Sequence, residues 1–266
     1  MGAYNTLGDC MKFKTGDLVT RKSYNNDYVF KVDKYENGRY ILYGLDIRLY
    51  ADSEESDLEL YDGSMENDDV SLLSNLEELI PRERNQYFYL PGKILHVDGD
   101  PDYLKRCLDF YKNADLMAYG VYLNENEFVK KIGYYLEKVK PDILIITGHD
   151  AILNDGKIQK YKNSGNFIET VRTARSYEKS HDKLIIIAGA CQSNYEELIK
   201  AGANFASSPR RINIHALDPA IVASIISLSD HSNDIDLIGI LKKTKYGAEG
   251  IGGIKTKGCM YVGYPR

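Results

Sequence analysis

His149 and Cys191 each close an aliphatic run that ends in a small-residue turn. The first run is Ile143-Leu144-Ile145-Ile146-Thr147-Gly148-His149, and the second is Leu184-Ile185-Ile186-Ile187-Ala188-Gly189-Ala190-Cys191. Unbroken aliphatic runs of this length read as strands buried on both faces, as in a parallel sheet. Ligands and reacting groups gather beyond the carboxyl ends of such strands, where both side chains would emerge. An imidazole beside a thiol takes its proton, and the thiolate is a nucleophile toward carbonyl carbon.

A lone cysteine on an apolar strand is more often a small core residue, and Cys107 is read that way. Cys191 differs because polar Gln192-Ser193-Asn194 follows it, where a strand gives way to a helix whose N-terminus would favour a thiolate. His149 stands 42 residues upstream. That order resembles caspase-type proteases, in which a His precedes the nucleophile of an Ala-Cys turn by about 50 residues. His96, His181, His215 and His231 occupy less suggestive positions. The backbone around Gly148, Ala190 and Gln192 is the candidate oxyanion support. Neither a GxxxxGK[ST] loop nor a GxGxxG fingerprint is present; Val97-Asp98-Gly99-Asp100-Pro101 follows the first strand, and Gly247, Gly250, Gly252 and Gly253 read as a mobile loop.

The elements that must carry this pair alternate in the second part of the chain. Strands are predicted at Lys93–Val97, Ala118–Leu123 and Ala203–Ser207 besides the two aliphatic runs. Helices are predicted at Pro101–Asn113, Glu125–Lys138, Phe167–Tyr177, Asn194–Ala201, Pro219–Leu228 and Asp234–Thr244. This rhythm predicts a three-layer αβα, doubly wound domain over 86–266 with a mainly parallel sheet. Before it, short strands with the hairpin turn Asn37-Gly38 predict a small SH3-like β-barrel over 12–62. Residues 1–11 read as an extension. The acidic stretch Asp52–Asp69 reads as solvated chain, and 63–85 as an acidic linker and connector.

The chain has 266 residues, 43% hydrophobic, with a formal net charge of −5. That composition predicts a soluble globular protein and disfavours a nucleic-acid partner. No apolar run approaches a membrane span and no secretory leader is evident, so an intracellular location is expected. Four scattered cysteines without CxxC spacing argue against disulfides and a zinc site. No metal or organic cofactor is expected.

Phe13-Lys14-Thr15-Gly16-Asp17-Leu18-Val19-Thr20-Arg21, Tyr89-Leu90-Pro91-Gly92-Lys93, Thr147-Gly148-His149-Asp150, Ala188-Gly189-Ala190-Cys191-Gln192-Ser193 and Gly202-Ala203-Asn204-Phe205-Ala206-Ser207-Ser208-Pro209 together resemble the YabG family of sporulation-specific proteases of spore-forming Firmicutes. The resemblance spans nearly the whole chain from Met11. It implies a caspase-like cysteine endopeptidase of the mother-cell cytoplasm, associated with the spore coat, that trims coat proteins, with His149 and Cys191 at the positions of the catalytic pair. The wider caspase-like pattern has Gly directly after the His, whereas here Gly148 precedes His149 and Asp150 follows. A member favouring basic residues before the scissile bond would need an acidic pocket, for which Asp150, Asp155 and Asp218 are candidates. The alternatives are a non-enzymatic coat-assembly adaptor and a small-amide hydrolase or amidotransferase using the same cysteine.

Overall fold

The structure is a computed structural model that describes residues 12–63, 87–155 and 158–264. The chain divides into two compact units, residues 1–66 and 67–266. The expected extension 1–11 lies outside the described residues, as does the expected linker 63–85 apart from Gly63.

The first unit is an antiparallel sheet of five strands: β1 (Leu18–Arg21), β2 (Phe30–Glu36), β3 (Arg39–Gly44), β4 (Tyr50–Ser53) and β5 (Leu58–Leu60). Asn37 and Gly38 both take positive φ, 53° and 82°, which is the two-residue turn that matches strand twist. Alternate residues Phe30, Val32, Tyr40 and Leu42 are buried. The order is β4-β3-β2-β1-β5, so β4 and β5, joined by the short turn Glu55–Asp57, lie at opposite ends of the sheet. A flat sheet would separate them by roughly 19 Å. The link from Ser53 to Leu58 can reach at most about 18 Å even fully extended. The sheet is therefore curled, but no ladder joins β4 to β5 among the described residues, and the expected closed barrel is an open sheet. Part of the acidic stretch read as solvated chain belongs to this sheet, because Asp57 accepts hydrogen bonds from the Ser23 backbone (2.8 Å), the Ser23 hydroxyl (2.9 Å) and the Ser53 hydroxyl (2.8 Å).

The second unit is α/β. Its main sheet contains β7 (Ile94–Asp98), β8 (Ala118–Tyr122), β9 (Ile143–Thr147), β12 (Ile185–Ala188), β13 (Phe205–Ser207) and β14 (Ile251–Gly253) in the order β14-β13-β12-β9-β7-β8. All neighbours are parallel except β13 and β14. Short antiparallel ladders join β6 (Phe88–Leu90) to β15 (Tyr261–Gly263) and β10 (Ile152–Asp155) to β11 (Ile158–Tyr161).

Side-chain alternation sends each strand's apolar groups to both faces. Ile143, Ile145, Ile185 and Ile187 pack with α1 (Pro101–Asn113) and α5 (Asp218–Leu228). Leu144, Ile146, Ile186 and Ala188 pack with α2 (Phe128–Val139), α3 (Ser164–Tyr177) and α4 (Tyr195–Ala201). The result is the expected three-layer, doubly wound arrangement. After β7 the chain crosses to β8 on one side, then returns to β9 on the other. The loops after β7 and β9 therefore flank the topological switch point, where an open α/β sheet leaves a crevice.

Two further expectations are corrected. The helix expected over Asp234–Thr244 is the shorter α6 (Leu237–Leu241), started by Asp236, whose side chain accepts from Gly239 N–H at 3.0 Å. The glycine segment expected as a mobile loop instead forms the short helix α7 (Gly247–Gly250) and edge strand β14. A Cβ on Gly253 would stand 2.5 Å from the Asn204 carbonyl oxygen, and one on Gly252 would stand 2.9 Å from the Tyr195 hydroxyl. These glycines let a strand approach closely. Among the described residues, no helix is long and apolar enough to cross a membrane.

Candidate functional site

The parallel ladder of β9 and β12 pairs Ile146 with Ala188. His149 and Cys191 each stand three residues beyond that pair, at the same level past the carboxyl ends of adjacent strands. Neighbouring strands lie about 4.8 Å apart, so the two turns leave the sheet side by side.

The His149 turn is built by three loops. Gly99 N–H donates to the Thr147 carbonyl at 2.9 Å, joining the loops after β7 and β9. Asp100 caps α1: its Oδ1 accepts from the N–H groups of Asp102 (2.8 Å) and Tyr103 (3.0 Å). Its Oδ2 lies 2.7 Å from His149 Nε2. Burial pushes the Asp100 carboxyl up, but the hydrogen bond and charge of His149, joined by the Tyr103 N–H, hold it below the usual carboxylate range. Tyr103 packs its ring against the imidazole, centroids 5.2 Å apart. From the loop after β8, Glu125 Oε1 accepts the His149 backbone N–H at 3.1 Å. A Cβ at Gly99 or Gly148 would collide with that carboxylate, at 2.4 and 2.7 Å from Oε1. Burial raises the Glu125 pKa, with the backbone bond from His149 opposing it.

The Cys191 turn is tighter. Gly189 has φ +109°, and its N–H donates to the Ile146 carbonyl at 3.0 Å. Cys191 is fully buried, and its Sγ accepts the Ile214 N–H at 3.2 Å. The seven-residue helix α4 begins four residues beyond Cys191, capped by Asn194. Ile214, on the loop after β13, thus supplies a backbone donor at the sulfur, where the sequence suggested the N-terminus of α4, and its carbonyl accepts from the thiol at 3.7 Å. The N–H of Ala190 donates to Ser193 Oγ at 2.9 Å. Gln192 N–H donates to Ser208 Oγ at 3.0 Å, and the Gln192 side chain accepts from Ile152 N–H at 3.3 Å. Those two amides, expected as oxyanion support, are committed to holding the turn. Gly148 lies one residue before His149, at the Glu125 carboxylate.

The three acidic candidates fall in different places. Asp150 is fully buried. Its Oδ1 accepts from Ala151 N–H (2.9 Å) and Asn163 N–H (2.8 Å). Its Oδ2 accepts from the hydroxyls of Ser193 (3.0 Å) and Ser164. Burial raises its pKa, and these donors oppose the rise. A carboxylate so filled is a brace between loops and has no open lone pair to offer a substrate. Asp218 is buried in the first turn of α5, where it accepts from His215 N–H (3.1 Å) and Lys245 N–H (2.9 Å). The side chain of Asp155 lies outside the described residues.

Asp100 and Glu125 were not singled out from the sequence. The available signal was position: Asp100 stands two residues past the first strand, just before the helix-starting Pro101, and Glu125 follows the second strand. What gathers them at His149 is strand order, which no local pattern reports.

The fold and site define a doubly wound α/β protein with an imidazole and a thiol raised on adjacent strand ends, the imidazole braced by a carboxylate. The model of the YabG peptidase U57 family matches residues 14–80 and 66–265. The chain is also 40% identical over 286 aligned positions to the sporulation-specific protease YabG of Bacillus subtilis (strain 168), an alignment covering 96% of this chain and 99% of that protein. The chain belongs to the YabG peptidase family.

Proposed function

We propose that this peptidase is a caspase-like cysteine endopeptidase in which Cys191 is the nucleophile and His149 its general base and acid. The observation that carries the reading is the shared level of the two residues past the paired ends of β9 and β12. Cys191 Sγ loses its proton to His149 and bonds to the scissile carbonyl carbon. His149 then protonates the departing amine, and water hydrolyses the thioester to return the thiol. Before attack the thiol donates to the Ile214 carbonyl at 3.7 Å; once the proton has passed to His149, the Ile214 N–H at 3.2 Å is the donor that supports the thiolate. With Ala190 and Gln192 committed within their turn, the N–H groups of Cys191 and Gly148 are our choice as oxyanion donors.

Family membership and the name of the Bacillus subtilis relative support a role in sporulation. We take the substrates to be spore coat proteins, trimmed in the mother-cell cytoplasm or at the coat itself. The test incubates wild-type, Cys191→Ala and His149→Ala proteins with spore coat extract and maps new protein termini by mass spectrometry. Termini made by the wild type alone are expected. Equal cleavage by all three would remove the site assignment.

A further inference from the structure

We propose that Asp100 is the positioning residue of this site: it holds His149 through Nε2, so that Nδ1 is the nitrogen that exchanges a proton with Cys191. The inference rests on the Cys191–His149 reading and adds a third member to it.

Asp100 divides its two oxygens between two tasks. Oδ1 is consumed by the N–H groups of Asp102 and Tyr103 at the start of α1, which fixes the carboxylate plane and sets it at a helix N-terminus that favours negative charge. Oδ2 alone faces the imidazole, at 2.7 Å from Nε2. A carboxylate only accepts, so Nε2 carries a hydrogen and the neutral ring presents Nδ1 as the base. When the proton moves from Cys191 Sγ to Nδ1, thiolate and imidazolium form. Asp100 stays a carboxylate throughout, accepting from Nε2–H.

The support behind Asp100 is itself buried and ordered. Asp98, fully buried on β7, accepts the Asp100 backbone N–H at 3.0 Å and the Thr147 hydroxyl at 2.9 Å. Thr147 Oγ1 lies 2.8 Å from His96 Nε2, and His96 Nδ1 lies 3.0 Å from the Tyr111 hydroxyl. This chain runs from α1 through β7 and β9 and immobilises the loop that presents Asp100. Among the described residues, Glu125 from the loop after β8, Asp98 from β7 and Tyr103 from α1 are ionisable groups that meet His149 or Asp100.

Asp100→Asn separates capping from orientation. The amide oxygen can keep the two helix N–H groups, while its NH2 donates toward Nε2 and forces the hydrogen onto Nδ1, the wrong tautomer for accepting a thiol proton. Asp100→Ser keeps a cap with no carboxylate and controls for folding. The experiment follows the pH dependence of Cys191 alkylation by iodoacetamide in the intact chain, resolved by mass spectrometry, for wild type, His149→Ala and both Asp100 variants. We expect a low-pH reactive limb in the wild type that is lost in His149→Ala. In Asp100→Asn and Asp100→Ser the limb should move up by at least one pH unit, with peptidase kcat on coat extract falling about 10²–10⁴-fold in Asp100→Asn. A wild type without the limb, or a limb indifferent to His149→Ala, would overturn the pair and this proposal together. A limb lost in His149→Ala but unchanged in both Asp100 variants would overturn the Asp100 role alone.

Discussion

Ser193 Oγ lies 3.0 Å from Asp150 Oδ2, and that bond ties the turn carrying His149 to the turn carrying Cys191. Asp150 follows His149 directly, and Ser193 comes two residues after Cys191. Four donors converge on this buried carboxylate, from Ala151, Asn163, Ser164 and Ser193. Asp150→Ala strands all of them, so a loss of about 3–5 kcal/mol is expected in urea unfolding. Asp150→Asn keeps an acceptor for the two amides and should cost about 1–2 kcal/mol. A wild-type midpoint for the alanine variant would show that the tie is dispensable.

Much of this arrangement was legible in the sequence. The aliphatic runs ending at Thr147 and Ala188 read as buried strands and are strands, and Pro101 marks the first turn of a helix that spans Pro101–Asn113 as expected. What stayed hidden depends on strand order and close packing. Asp150 sits beside His149 in sequence, yet its described carboxylate contacts are to other partners; the carboxylate at the imidazole is Asp100, brought there because β7 and β9 are neighbours. The glycines at 252 and 253 signalled freedom but serve close approach to Tyr195 and Asn204.

Glu125 makes acid and neutral conditions differ. Its carboxyl is raised above the ordinary value of 4.5, chiefly by burial, so the folded state holds this proton more tightly than the unfolded chain. By linkage its contribution is fully present below the unfolded pKa and is lost as pH rises through the folded one. Glu125→Gln keeps an acceptor for His149 N–H and cannot ionise. Its melting temperature should exceed that of the wild type at pH 7, and the two should converge below about pH 4.5. A Gln variant that melts lower at pH 7 and equal in acid would reverse the assignment.

Arg175 locks the end of α3 to the sheet. Its guanidinium donates to the carbonyls of Gly202, Glu178, Ser180 and Leu184 and to Asn204 Oδ1, at 2.9–3.0 Å. Burial lowers its pKa, with Glu178 opposing. Only a planar fork reaches five acceptors at once, so Arg175→Lys should lose most of what Arg175→Ala loses, about 2–4 kcal/mol in denaturant unfolding. A lysine variant as stable as the wild type would mean that charge alone suffices.

Thiol chemistry tests the cover over Cys191. Cys259 is raised to about 12, mainly by burial and next by Asp142 and Asp182. At pH 8 only about one Cys259 in 10⁴ is a thiolate, so it should resist iodoacetamide in the folded protein. Cys191 is held differently: it is fully buried, its sulfur accepts the Ile214 N–H at 3.2 Å, and its thiol donates to the Ile214 carbonyl at 3.7 Å. A fully buried sulfur meets reagent only in a locally opened state, whose population sets the labelling rate. Ile214→Gly retains the N–H and loosens the backbone that contacts the sulfur. It should speed alkylation of Cys191 at least about tenfold while Cys259 stays unlabelled in folded protein. Equal Cys191 rates in wild type and variant would mean that Ile214 is not what keeps reagents from the thiol.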